Sequence, residues 1–307
     1  MPYTALKSRL DGGDIVLMDG ATGTELQRRG ALMEPTAWCG DAALQGTDAL
    51  RQVHLDYVTA GAEVITANTF ATSRIVLNAA GLADRYAEIN EVTLTAAQSV
   101  REQHPDVLIG GSISHMTPRR DQHGEPDLKE LAEAQMELAD TLKTAGVDLI
   151  LLEMMFTPER LESSFQAAKS TGLPVWAGFS ARRWKDRGRG GEVLCFSQNQ
   201  DIPLIEAVSI LPDYDIAAAG IMHSESEVTG DALDVVRQVF DGPLAAYPDS
   251  GHMILPDWQF EEVIPAEDFV DFARGWKSDG VQIFGGCCGL GPAHIEALGV
   301  LREPAED

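Results

Sequence analysis

The chain alternates short apolar runs with longer segments of helical spacing, and this alternation constrains its fold more than any other feature. Eight runs are short enough to form buried parallel strands. They are DIVLMDG from Asp14, EVITANTF from Glu63, VLIGGSIS from Val107, DLILLEMM from Asp148, PVWAGFS from Pro174, DIAAAGIMHS from Asp215, PLAAYPDSG from Pro243 and VQIFGGCCG from Val281. Eight β-then-α units favour an α/β fold, a closed (β/α)8 TIM barrel, over an open doubly wound sheet.

The segments between the runs carry helix signals. Apolar or amide side chains recur every three or four residues before the fourth run, at Leu128, Leu131, Gln135, Leu138 and Leu142. Glycines that stop helices precede several runs, at Gly61, Gly146, Gly172 and Gly280. Because no linker rich in Pro, Gly or Ser divides the chain, we expect residues 1–307 to form a single barrel domain.

Composition excludes several classes of function. The net charge of −25 would repel a phosphate backbone, so we expect no nucleic-acid partner. The N-terminus lacks a signal peptide, and no window approaches the roughly 18 apolar residues of a membrane span, so we expect a cytoplasmic protein. Four cysteines, two of them adjacent, do not form a secreted disulfide framework, and in a reducing compartment they favour metal binding.

Polar residues end most of the predicted strands. Active sites of (β/α)8 barrels form at the C-terminal ends of the strands, so these residues are the candidates for function. They are Asp19, Asn68, Thr69, Ser112, Ser114, Glu153, Ser180, His223, Tyr247, Asp249, Cys287 and Cys288. Any one alone is more often a hydrogen-bonded loop residue, but their joint placement indicates a site.

The adjacent Cys287 and Cys288 carry the most chemistry. Glycines at 285, 286 and 289 give their turn the freedom to direct both thiols at one ion. Catalytic zinc usually takes three protein ligands and leaves a fourth position open, and His223 is our candidate for the third ligand. An open position can bind a substrate thiol and favour its thiolate. The alternative for His223 is an ordinary hydrogen-bonded histidine.

Two further carboxylates, Asp19 and Glu153, could hold an ammonium group, which suggests that the substrate thiol belongs to an amino acid. Helix capping or ion pairing is the alternative for each. The segment from Arg182 to Gly191 is basic and glycine-rich, and we interpret it as a solvated loop or as a lid that meets an anionic group. The sequence gives no indication of oligomeric state.

These motifs together resemble the homocysteine S-methyltransferase family over nearly the whole chain. The resemblance is carried by MDGATGTEL from Met18, AGAEVITANTF ending at Phe70, LLEMM around Glu153, GIMHS around His223, YPDSG from Tyr247 and GGCCG from Gly285. It implies a barrel whose zinc activates homocysteine for methylation to methionine. It also shows one departure: the family usually has GINC where this chain has GIMH, so His223 replaces a cysteine.

The resemblance also implies roles for individual residues. Asp19 and Glu153 would hold the homocysteine amino group, and the amides of Gly20 and Ala21 its carboxylate. Cys287 and Cys288 match two zinc ligands, and we expect His223 to complete the set. Asn68 and Thr69, at the end of the second run, are expected as further substrate contacts.

The methyl donor should be a small molecule, because the chain ends soon after the last barrel helix and leaves no room for a folate or cobalamin domain. The resemblance favours S-methylmethionine or S-adenosylmethionine. Relatives that use betaine surround it with aromatic side chains; Trp38 matches one such position, but Met154 and Ala71 occupy others. Methylation of another thiol or selenol, use of another donor, and a non-catalytic or redox role for the cysteine pair remain as alternatives.

Overall fold

Eight parallel strands form a barrel in a computed structural model that describes residues 2–118, 123–124, 126–183, 191–197, 200–254 and 259–303. With two hairpins outside the barrel, the described residues form twelve strands in chain order: β1 (Val16–Leu17), β2 (Val64–Ala67), β3 (Leu108–Ser114), β4 (Leu149–Met155), β5 (Val175–Phe179), β6 (Ala181–Arg183), β7 (Val193–Cys195), β8 (Ala218–Glu225), β9 (Leu244–Asp249), β10 (His252–Ile254), β11 (Gln259–Glu261) and β12 (Val281–Phe284). The parallel sheet has the order β1-β12-β9-β8-β5-β4-β3-β2. A parallel bridge between Met18 and Val64 joins its two edges.

This closure confirms the predicted (β/α)8 barrel and excludes the open sheet. The Asp19 amide donates to the Val64 carbonyl at 3.0 Å, and the Glu63 amide donates to the Leu17 carbonyl at 2.8 Å, so backbone hydrogen bonds continue across the joint. Strands β6 and β7 pair antiparallel, as do β10 and β11. Both hairpins follow barrel strands, β5 and β9, at their C-terminal ends.

Helices cover the outside of the barrel in the described residues. They are α1 (Tyr3–Asp11), α2 (Thr22–Arg28), α3 (Ala42–Gln45), α4 (Thr47–Thr59), α5 (Arg74–Ala79), α6 (Tyr86–Gln103), α7 (Leu128–Ala145), α8 (Pro158–Thr171), α9 (Leu204–Val208), α10 (Ser226–Arg237), α11 (Ala266–Ser278) and α12 (Pro292–Ala297). Gly146 and Gly172 end α7 and α8 in the left-handed conformation, as predicted. Four residues of the α7 stripe are buried, but Leu128 is 53% exposed at the first turn.

The barrel interior is filled at its N-terminal end. Leu6 and Leu10 of α1 pack with the inward side chains Val16, Leu149 and Trp176 in one buried cluster. A second, larger cluster lies between the strands and the outer helices. Because α1 covers the N-terminal end, open space inside the barrel is left to the C-terminal end, where the polar strand-end residues lie.

Part of the predicted basic segment is described. Arg182 donates to the Ser197 carbonyl and to Asp201, and Arg183 donates to Asp231, so both contact the protein itself. Residues 184–190 lie outside the described residues, as do the domain limits predicted at residues 1 and 307. No helix among the described residues is long and apolar enough to cross a membrane.

Candidate metal centre and active site

A cavity of about 650 Å³ opens at the C-terminal end of the barrel. Residues from seven of the eight barrel strands or the turns that follow them line it. The predicted candidates among them are Asp19, Gly20, Ala21, Asn68, Glu153, His223, Tyr247, Asp249, Cys287 and Cys288. The fold therefore brings these separate motifs to one place.

The turn that carries Cys287 and Cys288 is held by hydrogen bonds to neighbouring strands. The Cys287 amide donates to the Pro248 carbonyl at 2.6 Å, and the Cys288 carbonyl accepts from the Ser250 amide at 3.0 Å. Gly289 has a φ of 83°, so left-handed backbone is needed at this one of the three flanking glycines. Both thiols are thereby fixed beside the end of β9.

His223 reaches the thiols because β8 is irregular at that point. The pairing register between β8 and β9 shifts between Met222 and Glu225, and His223 has a φ of 42°. Such an irregularity redirects a side chain that regular alternation would place differently. Left-handed backbone at a residue other than glycine costs about 1–3 kcal/mol and is concentrated at functional sites.

The three side chains form a cluster with the geometry of a metal site. The Nδ1 atom of His223 lies 3.6 Å from Sγ of Cys287, and the two sulfur atoms are 3.9 Å apart. All three ligand atoms lie within 4.8 Å of one another. Around tetrahedral zinc the bonds are about 2.3 Å to sulfur and 2.0–2.1 Å to nitrogen. Such a site requires a nitrogen–sulfur separation of about 3.6 Å and a sulfur–sulfur separation of about 3.8 Å. The His223–Cys287 and Cys287–Cys288 separations therefore match those of a zinc site.

The fourth corner of that tetrahedron has no protein ligand in the described part of the chain. No further histidine, cysteine or carboxylate there joins the cluster within the same distance. The Asp249 carboxylate lies 3.6 Å from Nδ1 of His223, but it does not complete the cluster. Three protein ligands and an open position are the arrangement of a catalytic zinc site rather than a structural one.

Charges around the cluster favour a cation. Burial lowers the pKa of His223, but the hydrogen bond with Cys287 and the charges of Asp249 and Glu153 outweigh it and raise the pKa to about 9. The hydrogen bond with Cys288 and burial raise the pKa of Cys287 well above its ordinary value. The anionic groups that attract a proton to His223 would equally attract a metal cation, which in turn stabilises the thiolates.

Asp19 and Glu153 are buried carboxylates beside the cluster. Asp19 accepts from the Thr66 amide at 2.6 Å and from the Thr66 hydroxyl at 2.8 Å, and Glu153 accepts from the Ser112 hydroxyl. Burial raises the pKa of each to about 7, more than these hydrogen bonds lower it. Neither forms an ion pair with an arginine or lysine among the described residues. A bound ammonium group would supply that missing charge.

A family model described as homocysteine S-methyltransferase matches residues 16–300, which include every residue of this site. The chain belongs to the homocysteine S-methyltransferase family. The predicted resemblance is thereby confirmed.

Individual members of the homocysteine S-methyltransferase family match over almost the full chain. A homocysteine S-methyltransferase of Escherichia coli is 26% identical over 314 residues, covering 95% of this chain and 97% of that protein. Betaine–homocysteine S-methyltransferase 1 of Bos taurus is 26% identical, covering 94% of this chain and 72% of its own length. A crystal structure of the Escherichia coli homocysteine methyltransferase in metallated form has a TM-score of 0.75 at 24% identity, covering 95% and 98% of the two chains. That last likeness shows the shared barrel.

Two residues predicted as substrate contacts have structural partners instead. Thr69 does not line the cavity: its side chain is fully buried, and its hydroxyl bridges the backbone amide and carbonyl of Ser112. Asn68 does line the cavity, but its amide nitrogen donates to the Cys39 carbonyl at 2.8 Å and its oxygen accepts from the Cys39 thiol. Each side chain thus supports the wall of the barrel, and contact of either residue with substrate stays a prediction.

The predicted carboxylate-binding amides differ from each other. The Ala21 amide donates to the Leu290 carbonyl at 3.0 Å, so it could bind a substrate only by giving up that bond. Gly20 lines the cavity, and a Cβ there would lie 2.4 Å from the same carbonyl oxygen, which explains the glycine. Both amides stay predicted donors, and Gly20 is the one for which no competing bond is described.

Sequence reasoning missed one wall of the cavity. Phe156, Phe196 and Arg160 line it, together with the thioether of Met222, which accepts from the Met154 amide and the Ser180 hydroxyl. Phe156 and Arg160 begin the connection after β4, and Phe196 follows the hairpin inserted after β5. Arg160 and Phe196 lie beyond the strand ends, and Phe156 and Met222 are apolar residues beside polar candidates, so a search for polar strand ends did not find them.

Proposed function

We propose that this chain transfers a methyl group from a small cationic donor to homocysteine, giving methionine, with zinc held by His223, Cys287 and Cys288. The observation that carries the proposal is the placement of a three-ligand cluster and two unpaired carboxylates on one cavity. The names of the family and of its members support homocysteine as the acceptor.

The carboxylates account for an amino-acid acceptor. Asp19 and Glu153 line the same cavity, and the charge of Glu153 helps to raise the pKa of Asp19, so an ammonium ion between them would restore neutrality to a buried region. The Gly20 amide is the proposed donor to the homocysteine carboxylate. These contacts orient the acceptor so that its sulfur reaches the open position of the metal centre.

A zinc ion at this centre would lower the pKa of the homocysteine thiol and keep the sulfur as a thiolate at neutral pH. The thiol proton passes to solvent. A sulfur lone pair then forms a bond to the donor methyl carbon, while the bond from that carbon to the donor sulfur or nitrogen breaks. The leaving atom keeps the electron pair and becomes neutral, so the residues need only position the two reactants.

Sulfonium compounds are the favoured donors. Their positive charge suits a wall of aromatic rings and methionine thioethers, which attract cations through their faces and lone pairs. The same wall could hold a quaternary ammonium. Betaine is therefore the second candidate donor, supported by the rings of Phe156 and Phe196 although Met154 and Ala71 lack the aromatic character predicted to favour it.

Metal analysis and a donor panel test the proposal together. We expect about one zinc per chain, with methionine formed from homocysteine and S-methylmethionine or S-adenosylmethionine. Cys287→Ala should lose both metal and activity. Cys195→Ala is the matched control, because that thiol is buried but does not line the cavity.

Three outcomes would contradict the proposal in different ways. Full activity of metal-free protein would remove zinc from it. A thiol pair that oxidises reversibly and binds no metal would favour the redox alternative. Methylation of another thiol or a selenol, with no turnover of homocysteine, would support a divergent acceptor.

A further inference from the structure

The thioether of Met222 bridges two barrel strands that are not neighbours. Met222 lies on β8 and is buried, and its sulfur atom accepts from the Met154 amide at 3.3 Å and from the Ser180 hydroxyl at 3.2 Å. Met154 lies on β4, which is separated from β8 by β5 in the sheet. A side chain of one strand thus holds the backbone of the next strand but one.

Gly178 leaves the space that this bridge needs. It lies on β5, between the two strands, and a Cβ there would lie 2.9 Å from Cγ of Met222 and closer still to the Tyr247 hydroxyl. Met222 and Tyr247 therefore cover the backbone of β5 at the place where another residue would project a side chain. The bridge is thus part of the packing of three adjacent strands.

The bridged amide belongs to an irregular part of β4. The pairing register between β4 and β5 shifts between Leu152 and Met155. Glu153 and Met154 therefore stand opposite one residue of β5, and Met154 has a φ of 55°. A left-handed residue other than glycine persists only where its surroundings hold it, and a partly buried amide that leaves the ladder needs another acceptor. The Met222 sulfur supplies one.

Residues of the candidate site stand directly beside both ends of the bridge. Glu153, the proposed partner of the acceptor ammonium group, precedes Met154 in the chain, and His223, the candidate metal ligand, follows Met222. Both Glu153 and His223 line the cavity. The bridge therefore relates the position of the carboxylate to the position of the metal centre.

We propose that Met222 is a positioning residue whose thioether fixes Glu153 at a set distance from the metal centre, so that one acceptor molecule can contact both. The proposal rests on the proposed function and adds the residue that sets the two halves of the acceptor site relative to each other. Met222 acts through Glu153, and no bond of the reaction forms or breaks at its sulfur.

Two substitutions separate hydrogen bonding from packing. Met222→Leu keeps a similar apolar volume but removes the acceptor atom. Met222→Asn loses volume but places an amide oxygen at the same number of bonds from the backbone as the Met222 sulfur. Met136→Leu is the matched control, because Met136 lies on α7, is 43% exposed and does not line the cavity.

Calorimetric binding of homocysteine to zinc-loaded protein gives a readout independent of turnover. Met222→Leu should weaken binding by about 3- to 10-fold, the range of one uncharged hydrogen bond, with unchanged zinc content. Met222→Asn should restore binding to within about twofold of wild type, and Met136→Leu should match wild type. In turnover, the homocysteine KM should rise in Met222→Leu and the donor KM should not.

A double-mutant cycle tests whether Met222 acts through the carboxylate. In a Glu153→Gln background, Met222→Leu should weaken homocysteine binding by less than about twofold, because the contact that it positions is already lost. An equal loss with and without the Glu153 carboxylate would mean that Met222 supports the cavity in another way.

Further results would overturn the positioning role. These are wild-type affinity in Met222→Leu, loss of zinc from Met222→Leu, or weaker binding by Met222→Asn than by Met222→Leu. If the expected binding pattern appears but no methionine forms, the positioning role stands and the proposed function fails. If wild-type protein methylates homocysteine but the variants break the pattern, the positioning role fails and the proposed function stands. Wild-type protein that does not bind homocysteine would overturn both.

Discussion

Carboxylates at the two ends of the barrel differ in whether they form ion pairs with arginine. At the N-terminal end, Glu63 lies between Arg9 and Arg302 and pairs with both. At the C-terminal end, Asp19 and Glu153 are buried with hydroxyl and amide partners only, and burial raises the pKa of each to about 7. Glu63 has two arginine countercharges within the protein, whereas neither Asp19 nor Glu153 pairs with an arginine or lysine among the described residues, although the charge of His223 acts on Glu153.

This difference separates residues that stabilise the barrel from residues that serve its site. An ion pair with both partners in the chain lowers the energy of the folded state alone. A buried carboxylate without a countercharge costs folding free energy and gains it back only when a cation binds. Left-handed backbone at His223 and Met154 belongs to the same end of the barrel. At the C-terminal end, groups that lower the stability of the folded chain are therefore the groups available to bind a ligand.

The largest effect should follow loss of a metal ligand. His223→Asn should abolish zinc binding and lower methyl transfer by more than about 100-fold, because the substrate thiol then keeps its ordinary pKa. Asparagine tolerates the left-handed backbone at this position better than most residues, so the fold should be kept. Zinc content, thermal unfolding and turnover measure the three parts separately.

His223→Cys provides the matched control. It restores the thiolate that the family usually carries, so we expect zinc to be retained. If His223→Asn instead keeps full zinc and activity, His223 is not a ligand and the cluster is held by the cysteines with another group.

The next effect concerns the unpaired carboxylates. Glu153→Gln should raise the homocysteine KM by about 10- to 100-fold, the cost of losing a charged contact to the ammonium group, with a smaller change in kcat. Above pH 7 the variant should be at least as stable as wild type, because it removes a buried charge. Loss of both affinity and stability at pH 8 would show that Glu153 also supports the fold.

The sequence was sufficient to predict the barrel but only part of its candidate site. Eight buried runs with polar residues at their ends located the barrel and its mouth, because a parallel strand buried on both faces has a recognisable apolar length. Adjacent cysteines on a glycine-flanked turn likewise predicted a cluster with His223, and the three side chains lie close enough to hold a metal ion. Thr69 shows that a strand-end side chain can also turn toward the neighbouring strand, because its hydroxyl bonds to the backbone of Ser112.

Other features left no pattern in the sequence. The register shifts that include His223 and Met154 depend on how β8 and β4 pair with their neighbours, and pairing is a property of the assembled barrel. Phe196 and Arg160 reach the cavity from connections between elements. Their contribution depends on where those connections fold back, which residue type alone does not specify.

Affinity for the amino-acid group should depend on pH. In the folded chain the pKa of Asp19 and of Glu153 is about 7, above the ordinary carboxyl range, so protonated carboxyls compete with a bound ammonium below pH 7. Affinity for the amino-acid group should rise by about tenfold per carboxylate between pH 6 and pH 8. Methionine is the ligand to use, because it has the same amino-acid group and no thiol to ionise.

The same shift has an opposite consequence for folding. Because the folded-state pKa is raised, the folded chain binds more protons than the unfolded chain, and the stability these two carboxyls contribute is present at low pH and lost as pH rises toward 7. Methionine binding should therefore release protons near neutral pH. Methionine affinity that does not change with pH in the wild type, or that changes equally in Glu153→Gln, would contradict the assignment of Asp19 and Glu153 to the ammonium group.

The smallest effect should occur at the opposite end of the barrel, with Glu63→Gln. This change leaves Arg9 and Arg302 without their shared partner and should cost about 0.5–1 kcal/mol of unfolding free energy, less at high salt because partly exposed pairs are screened. The homocysteine KM and zinc content should not change, since no residue of the cavity contacts this network. Glu88→Gln, which removes an exposed pair on α6, is the control and should cost less. Equal costs would mean that burial of Glu63 adds nothing to its ion pairs; a raised KM would mean that the two ends of the barrel are coupled after all.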